Sequence, residues 1–204
     1  MATQELFEDV EDETKAAIMR ATFRALCEHG YANLTIQRIG DEFEKSKSLL
    51  YHHYDGKDEL LLDFLDSLLA GFAADAPEEE SAPGVDCLSS ILDRHVSTDV
   101  DGDRLAFMKA MVELRAQAAH DDAYREHFSR SDQFFRDRIE EVIEAGIDAG
   151  EFEDVDAEAV AAMLVTLING SFVERVTTDG DGIPHTREAV EAYLDSTLAT
   201  DSDR

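Results

Sequence analysis

Apolar residues recur along this chain every three to four positions and almost nowhere alternate with period two, so the pattern predicts an all-α protein. A first helix is expected over 14–29, with Ala17, Ile18, Ala21, Leu26 and Cys27 forming its stripe and Gly30 stopping it in the left-handed region. Two short helices follow. One covers about 35–42, with Thr35 as N-cap and Ile36 and Ile39 turned inward. The other covers about 47–53, with Ser46 as N-cap. Asp55-Gly56 then breaks the chain, and a longer helix of 57–74 carries Leu60, Leu61, Phe64, Leu65, Leu68, Leu69 and Phe72. The stretch APEEESAPG (76–84) reads as a loop, and further helices are expected at 85–97, 101–119, 122–149, 156–178 and 186–200. Each of the three prolines, Pro77, Pro83 and Pro184, falls in an expected gap. The helix at 156–178 is apolar almost all round and must be covered on most sides, which predicts a partner chain. No internal repeat is visible.

Charge divides the chain unevenly. The 204 residues carry a formal net charge of -29, yet 44% are hydrophobic, so the acidity does not signal disorder. Residues 1–13 hold six acids and no base. Residues 14–60 hold seven bases and seven acids, and the remainder holds 11 bases and 34 acids. Strong acidity with few lysines suits a salt-in halophile. The neutral block then marks a surface that excludes that treatment. Three of the five lysines, Lys45, Lys47 and Lys57, lie within 13 residues of it.

The sequence points away from several functions. It has no uninterrupted apolar run near 18 residues, which predicts no membrane span, and its acidic start does not read as a signal peptide. Cys27 and Cys87 have no metal-ligand spacing and suit a reducing cytoplasm. His52 and His53 are adjacent, so on a helix they point about 100° apart and do not chelate one ion. His29, His95, His120, His127 and His185 are scattered, with neither an H-E-x-x-H nor a phosphate loop. No metal, cofactor or enzyme activity is expected.

Two short helices joined by a tight turn form a helix-turn-helix pattern, whose second helix must be short and exposed to enter a major groove. Ser46, Lys47 and Ser48 stand at that helix's N-terminus, where the dipole and free N–H groups favour a phosphate. Leu50, with His53 or Tyr54, is expected to turn inward. Leu49 would offer an apolar contact, and Lys57 opens the next helix with a charge suited to DNA.

The segment GYANLTIQRIGDEFEKSKSLLYHHYDGKDELL (30–61) resembles the DNA-binding domain of the TetR (tetracycline-repressor-like) transcriptional regulators. Gly30, Tyr31, Thr35, Ile39, Ser46, Tyr51, His53, Tyr54, Lys57 and Leu60 match its pattern in register. Gly40, Phe43-Glu44-Lys45 and Ser48 depart from it, and Glu44 stands where the family's turn carries a glycine. Residues 104–178, including AG…AGEF, resemble the C-terminal domain of the betaine-regulator-like subgroup. The resemblance implies an acidic tail (1–13), a three-helix DNA-binding domain (14–60, motif 35–54) and a C-terminal helical bundle for dimerisation and ligand binding (61–204). It implies a homodimer that represses from a double-stranded DNA operator and is released by a small apolar or amphipathic effector. Thr35, Ser46, Lys47, Tyr51 and Lys57 would face phosphates or groove, with Gln37, Lys45, Ser48, Leu49 and His52 as further contacts. Phe72, His95, Met108, Met111, Arg115 and Asn169 are the candidate effector contacts. The rival reading is the same fold serving a protein partner without DNA.

Overall fold

The computed structural model describes residues 7, 10, 12–43, 45–74, 85–97 and 100–198. Along these the helices run α1 Glu13–Asn33, α2 Ile36–Glu42, α3 Lys47–His53, α4 Lys57–Ala74, α5 Val85–His95, α6 Gly102–Gln117, α7 Asp122–Ala149, α8 Ala157–Thr177 and α9 Ile183–Tyr193, with a π-helical turn at Leu194–Leu198. The all-α class therefore holds. The loop at 76–84, with Pro77 and Pro83, lies outside the described residues, as does Glu44. One expectation needs correcting. Pro184 does not sit in a gap but in the first turn of α9, where a missing N–H costs nothing.

The chain forms two compact units, residues 1–76 with 101–129, and residues 77–100 with 130–204. In the first unit, Asp12 caps α1 by accepting from the N–H groups of Thr14 and Lys15, at 2.7 and 3.4 Å. Those bonds hold its carboxyl below the usual carboxylate range. The inward face of α1 buries Ile18, Met19, Ala21 and Leu26, beneath a ring cluster in which Phe64 packs on Phe7 and Phe23. Thr35 caps α2 by accepting from Arg38 N. Arg24 fastens the other end of α2 to α1, donating to the carbonyl of Glu42 at 2.7 Å.

Gly30 does not end α1 as expected but kinks it, at φ of +67°, and the helix resumes as far as Asn33. The residue after it, Tyr31, is then held from four directions. Its N–H donates to the carboxylate of Glu113 on α6. Its carbonyl accepts from Lys57 Nζ at 3.0 Å, and that ammonium also lies 3.9 Å above its ring. Its hydroxyl donates to Asp58 Oδ1 at 2.9 Å, an oxygen that Tyr124 of α7 also reaches, at 3.2 Å. Position 30 favours glycine on two grounds. Its φ is left-handed, and an added Cβ would sit 3.0 Å from Glu113 Oε2.

In the second unit, the AG…AGEF motif is an elbow. Gly150, at φ +76°, closes α7 with Glu151 N donating to Gly146 O at 2.9 Å and Gly150 N to Ile147 O at 3.0 Å, a Schellman arrangement. The chain folds back so that the buried Phe152 ring lies on Gly146. Helix α8 sends Val160, Ala161, Leu164 and Val165 into a core shared with Ile139, Ile143, Leu88 and Leu92. The absence of a long uninterrupted apolar run understated this helix. Among the described residues, α8 is long and apolar enough by length and composition to cross a membrane, and only 28% of its most apolar 18-residue stretch is buried within this chain.

Two outcomes are expected. Gly146→Ala would place a Cβ 2.2 Å from Phe152 Cδ2. It should lower stability by about 1–3 kcal/mol, the cost of overpacking a closed contact, seen as a reduced denaturant midpoint. Burial first, and then the hydrogen bond to Asp58, pushes the Tyr31 phenol up to about 12. A raised folded pKa means that its contribution is fully present below the unfolded value near 10 and is lost as pH rises through about 12. Alkaline unfolding followed by circular dichroism should show that loss, and Tyr31→Phe should diminish it.

Candidate nucleic-acid interface

The seven residues of α3 are anchored by little. Leu50 is fully buried with Ile39 and Phe43, and Leu49 and Tyr54 pack partly against the same core. Tyr54 donates to Asp63 Oδ2 at 2.6 Å, and burial followed by that bond pushes its phenol well up. Of the two inward residues offered by the sequence, the tyrosine takes the role. His53 is exposed, so its expected packing is corrected. The expected Ser46 cap is also corrected. Ser46 occupies the cap position but makes no capping bond, and its hydroxyl pairs with that of Ser48 at 2.8 Å.

Ser48, Tyr51 and His52 form the outward face, at the i, i+3, i+4 spacing of one helix side. Tyr51 is 62% exposed, an unusual setting for a large ring. Gln37 on α2 and Lys45 in the turn are exposed too, as is Thr35, although its hydroxyl is engaged as a cap. Leu49 is only half exposed and borders this face.

The four lysines of the neutral block are each held by the protein itself. Lys15 pairs with Asp63 at 2.7 Å, and Lys45 donates to Thr14 Oγ1 at 3.2 Å. Lys47 pairs with Asp41 of α2. Lys57, the lysine expected at a phosphate, donates to Tyr31 as described. Sequence reasoning missed these acceptors, along with Asp58 and Glu113. Only the Gly30-Tyr31 pair hinted that the end of α1 was special.

The candidate effector contacts divide between the units. Phe72, Met108, Met111 and Arg115 belong to the first, where Met108 is buried and the Arg115 guanidinium lies 4.6 Å from the Phe128 ring centre. His95 and Asn169 belong to the second. There His95 lies 6.3 Å from the Phe172 ring, and Asn169 Nδ2 donates to Asp132 Oδ1 at 3.3 Å. The second unit also has an open depression of about 580 Å³. Its lining includes Glu140, Glu144, Asp148, Asp154 and Asp156, so it is acidic rather than apolar. Burial first, and then the charges of Glu144, Glu158, Asp137 and Asp156, raise the Glu140 carboxyl. Among the described residues, no group of three or more His, Cys, Asp or Glu is arranged to hold a metal ion.

Comparison with known proteins agrees with this geometry. Residues 18–64 match the N-terminal domain described as bacterial regulatory proteins of the tetR family. Residues 86–199 match the BetI-type transcriptional repressor C-terminal domain. The HTH-type transcriptional repressor AcnR of Corynebacterium glutamicum is 26% identical over 189 residues, spanning 89% of this chain and 92% of that protein. The crystal structure of a TetR transcription regulator from Haloarcula marismortui superposes with a TM-score of 0.79 at 37% identity, covering 91% of this chain and 98% of that one. The choline complex of a regulator from Saccharomonospora viridis shares the fold, with a TM-score of 0.74, 20% identity, and coverage of 92% and 98%. The helix-turn-helix at 36–53 and the helical domain that follows it thus place this chain in the TetR family of transcriptional regulators.

Proposed function

We propose that this protein is a repressor that binds a pseudo-palindromic operator as a homodimer in the cytoplasm and is released by a small apolar or amphipathic effector. The observation that carries the reading is the outward face of α3, where Ser48, Tyr51 and His52 stand clear of a core that α3 enters through Leu50 alone at full burial. That face lies in the neutral block of an acidic chain. Ser48, Tyr51 and His52 would read base edges. Gln37, Thr35, Lys45 and Ser46 would meet the backbone around them, with Leu49 at the rim.

Dimerisation is supported by α8. Its exposed positions include Ala159, Met163, Thr166, Gly170, Val173 and Thr177, at intervals of 4, 3, 4, 3 and 4. That is the seam of a two-helix packing. The two threonine hydroxyls donate back to Ala162 O and Val173 O, which leaves their methyl groups to line the stripe. A second copy is the natural cover, and it would place two copies of α3 about 34 Å apart on successive grooves.

Effector response would run along α4, which carries Lys57 and Asp58 beside Tyr31 at one end and Phe72 at the other. Relatives of this fold include structures holding choline and stearoyl-CoA, which supports a small-molecule effector. At molar salt the Debye length is about 3 Å, so the acidic remainder would not repel DNA at a distance.

A footprint of the protein on DNA flanking its own gene, in molar KCl, should show a two-fold-symmetric protected site. A folded dimer that protects no DNA, and instead retains a protein partner, would favour the interaction-module reading. Tyr51→Ala or His52→Ala should weaken that site by about 1–3 kcal/mol while leaving the fold unchanged by circular dichroism. The double change Met163→Glu with Val173→Glu should give a monomer by light scattering.

A further inference from the structure

Lys47 is the first residue of α3 and, among Lys45, Lys47 and Lys57, the one placed on the recognition helix itself. Its side chain does not extend toward the outward face. The stem lies in the notch left by Gly40, where an added Cβ would meet Lys47 Cγ at 3.1 Å and Cδ at 3.2 Å. From there the ammonium reaches Asp41, one residue further along α2. Gly40 is itself buried, so the notch is part of the α2–α3 contact and not a passing surface feature.

We propose that Asp41 is a specificity-determining residue, which holds Lys47 on the protein and so withholds one phosphate contact per protomer. This rests on the DNA-binding reading above. The physical reason is a division of labour. Phosphate contacts bind any sequence, while base contacts discriminate. An ion pair between half-exposed partners is weak by itself. Here the stem is already laid in its notch, so less freedom is lost in closing the pair. Direct contact also leaves the pair less screened by salt than charges at a distance are. A phosphate must displace Asp41 before it gains the lysine. Binding to random DNA therefore loses a contact, and the operator keeps the discrimination supplied by Ser48, Tyr51 and His52.

The test is the salt dependence of binding to a random-sequence duplex and to the footprinted site, by fluorescence anisotropy over a KCl series. Four proteins are compared: wild type, Asp41→Asn, Lys47→Ala and the double variant. Each phosphate neutralised contributes about 0.9 to the slope of log K against log salt. Asp41→Asn should steepen the slope on random DNA by about 1.8 per dimer, one lysine from each protomer, and raise affinity there more than at the operator. Lys47→Ala should leave the slope on random DNA as in wild type, and the double variant should match Lys47→Ala. A slope unmoved by Asp41→Asn overturns the proposal, as does a slope flattened by Lys47→Ala. Steepening that survives in the double variant also overturns it, because the effect would then be Asp41's own repulsion of DNA. A wild type that binds neither duplex defeats the DNA-binding reading and this proposal with it. Binding with an unmoved slope defeats the proposal alone.

Discussion

At the Gly30 kink inside α1 the backbone leaves helical φ/ψ, and the N–H of Tyr31 needs an acceptor from outside the helix. The Glu113 carboxylate supplies one, and a charged acceptor makes that bond stronger than an amide's. Much of the first unit's geometry depends on this junction. It lies in the last turn of α1, where Tyr31 O also accepts from the N–H of Leu34, the residue that caps the helix before α2. It brings α4 in through Lys57 and Asp58, α6 through Glu113 and α7 through Tyr124. Two hydroxyls share one Asp58 oxygen, so a shift of α7 relative to α4 is felt at Tyr31. The reading helix is therefore oriented largely by helices that never approach its outward face.

The helices themselves were legible in the sequence. Their periodicity and stop signals placed most of the helices among the described residues within two residues at each end, because amphipathic stripes and caps are local properties. Helix α1 runs on through its expected stop at Gly30 to Asn33, and α9 covers 183–193 rather than 186–200. What stayed hidden was which distant group answers a given polar atom. Glu113 lies 82 residues from Tyr31, and Tyr124 lies 66 from Asp58. No pattern within a window can pair them. The lysines show the same limit more sharply. Their clustering was visible and their neutralising effect on the block was real. The direction of each side chain was not, and a long flexible stem turns to whichever carboxylate or carbonyl the fold brings near. His53 and Tyr54 were indistinguishable by period, and packing chose the tyrosine. The run-based view did not register the overall apolarity of α8, because Thr166, Asn169, Gly170 and Ser171 interrupt an apolar run without making the helix polar.

Acidity and DNA binding are reconciled by local pairing. Lys15, Lys45, Lys47 and Lys57 hold the first unit together as well as balancing its charge. Their placement is thus constrained from two sides. In concentrated salt, short-range contacts of this kind are screened less than the field of the whole chain.

A recognition helix with one fully buried side chain has a further meaning over evolutionary time. Leu50 carries the deepest packing, with Leu49 and Tyr54 as partial supports, and the outward positions touch little else in the protein. Substitutions at 48, 51 and 52 can accumulate without disturbing the fold that presents them. A duplicated copy of this chain could present a new outward face by changing three or four codons, while the core and the junction at Tyr31 passed unaltered to its descendants.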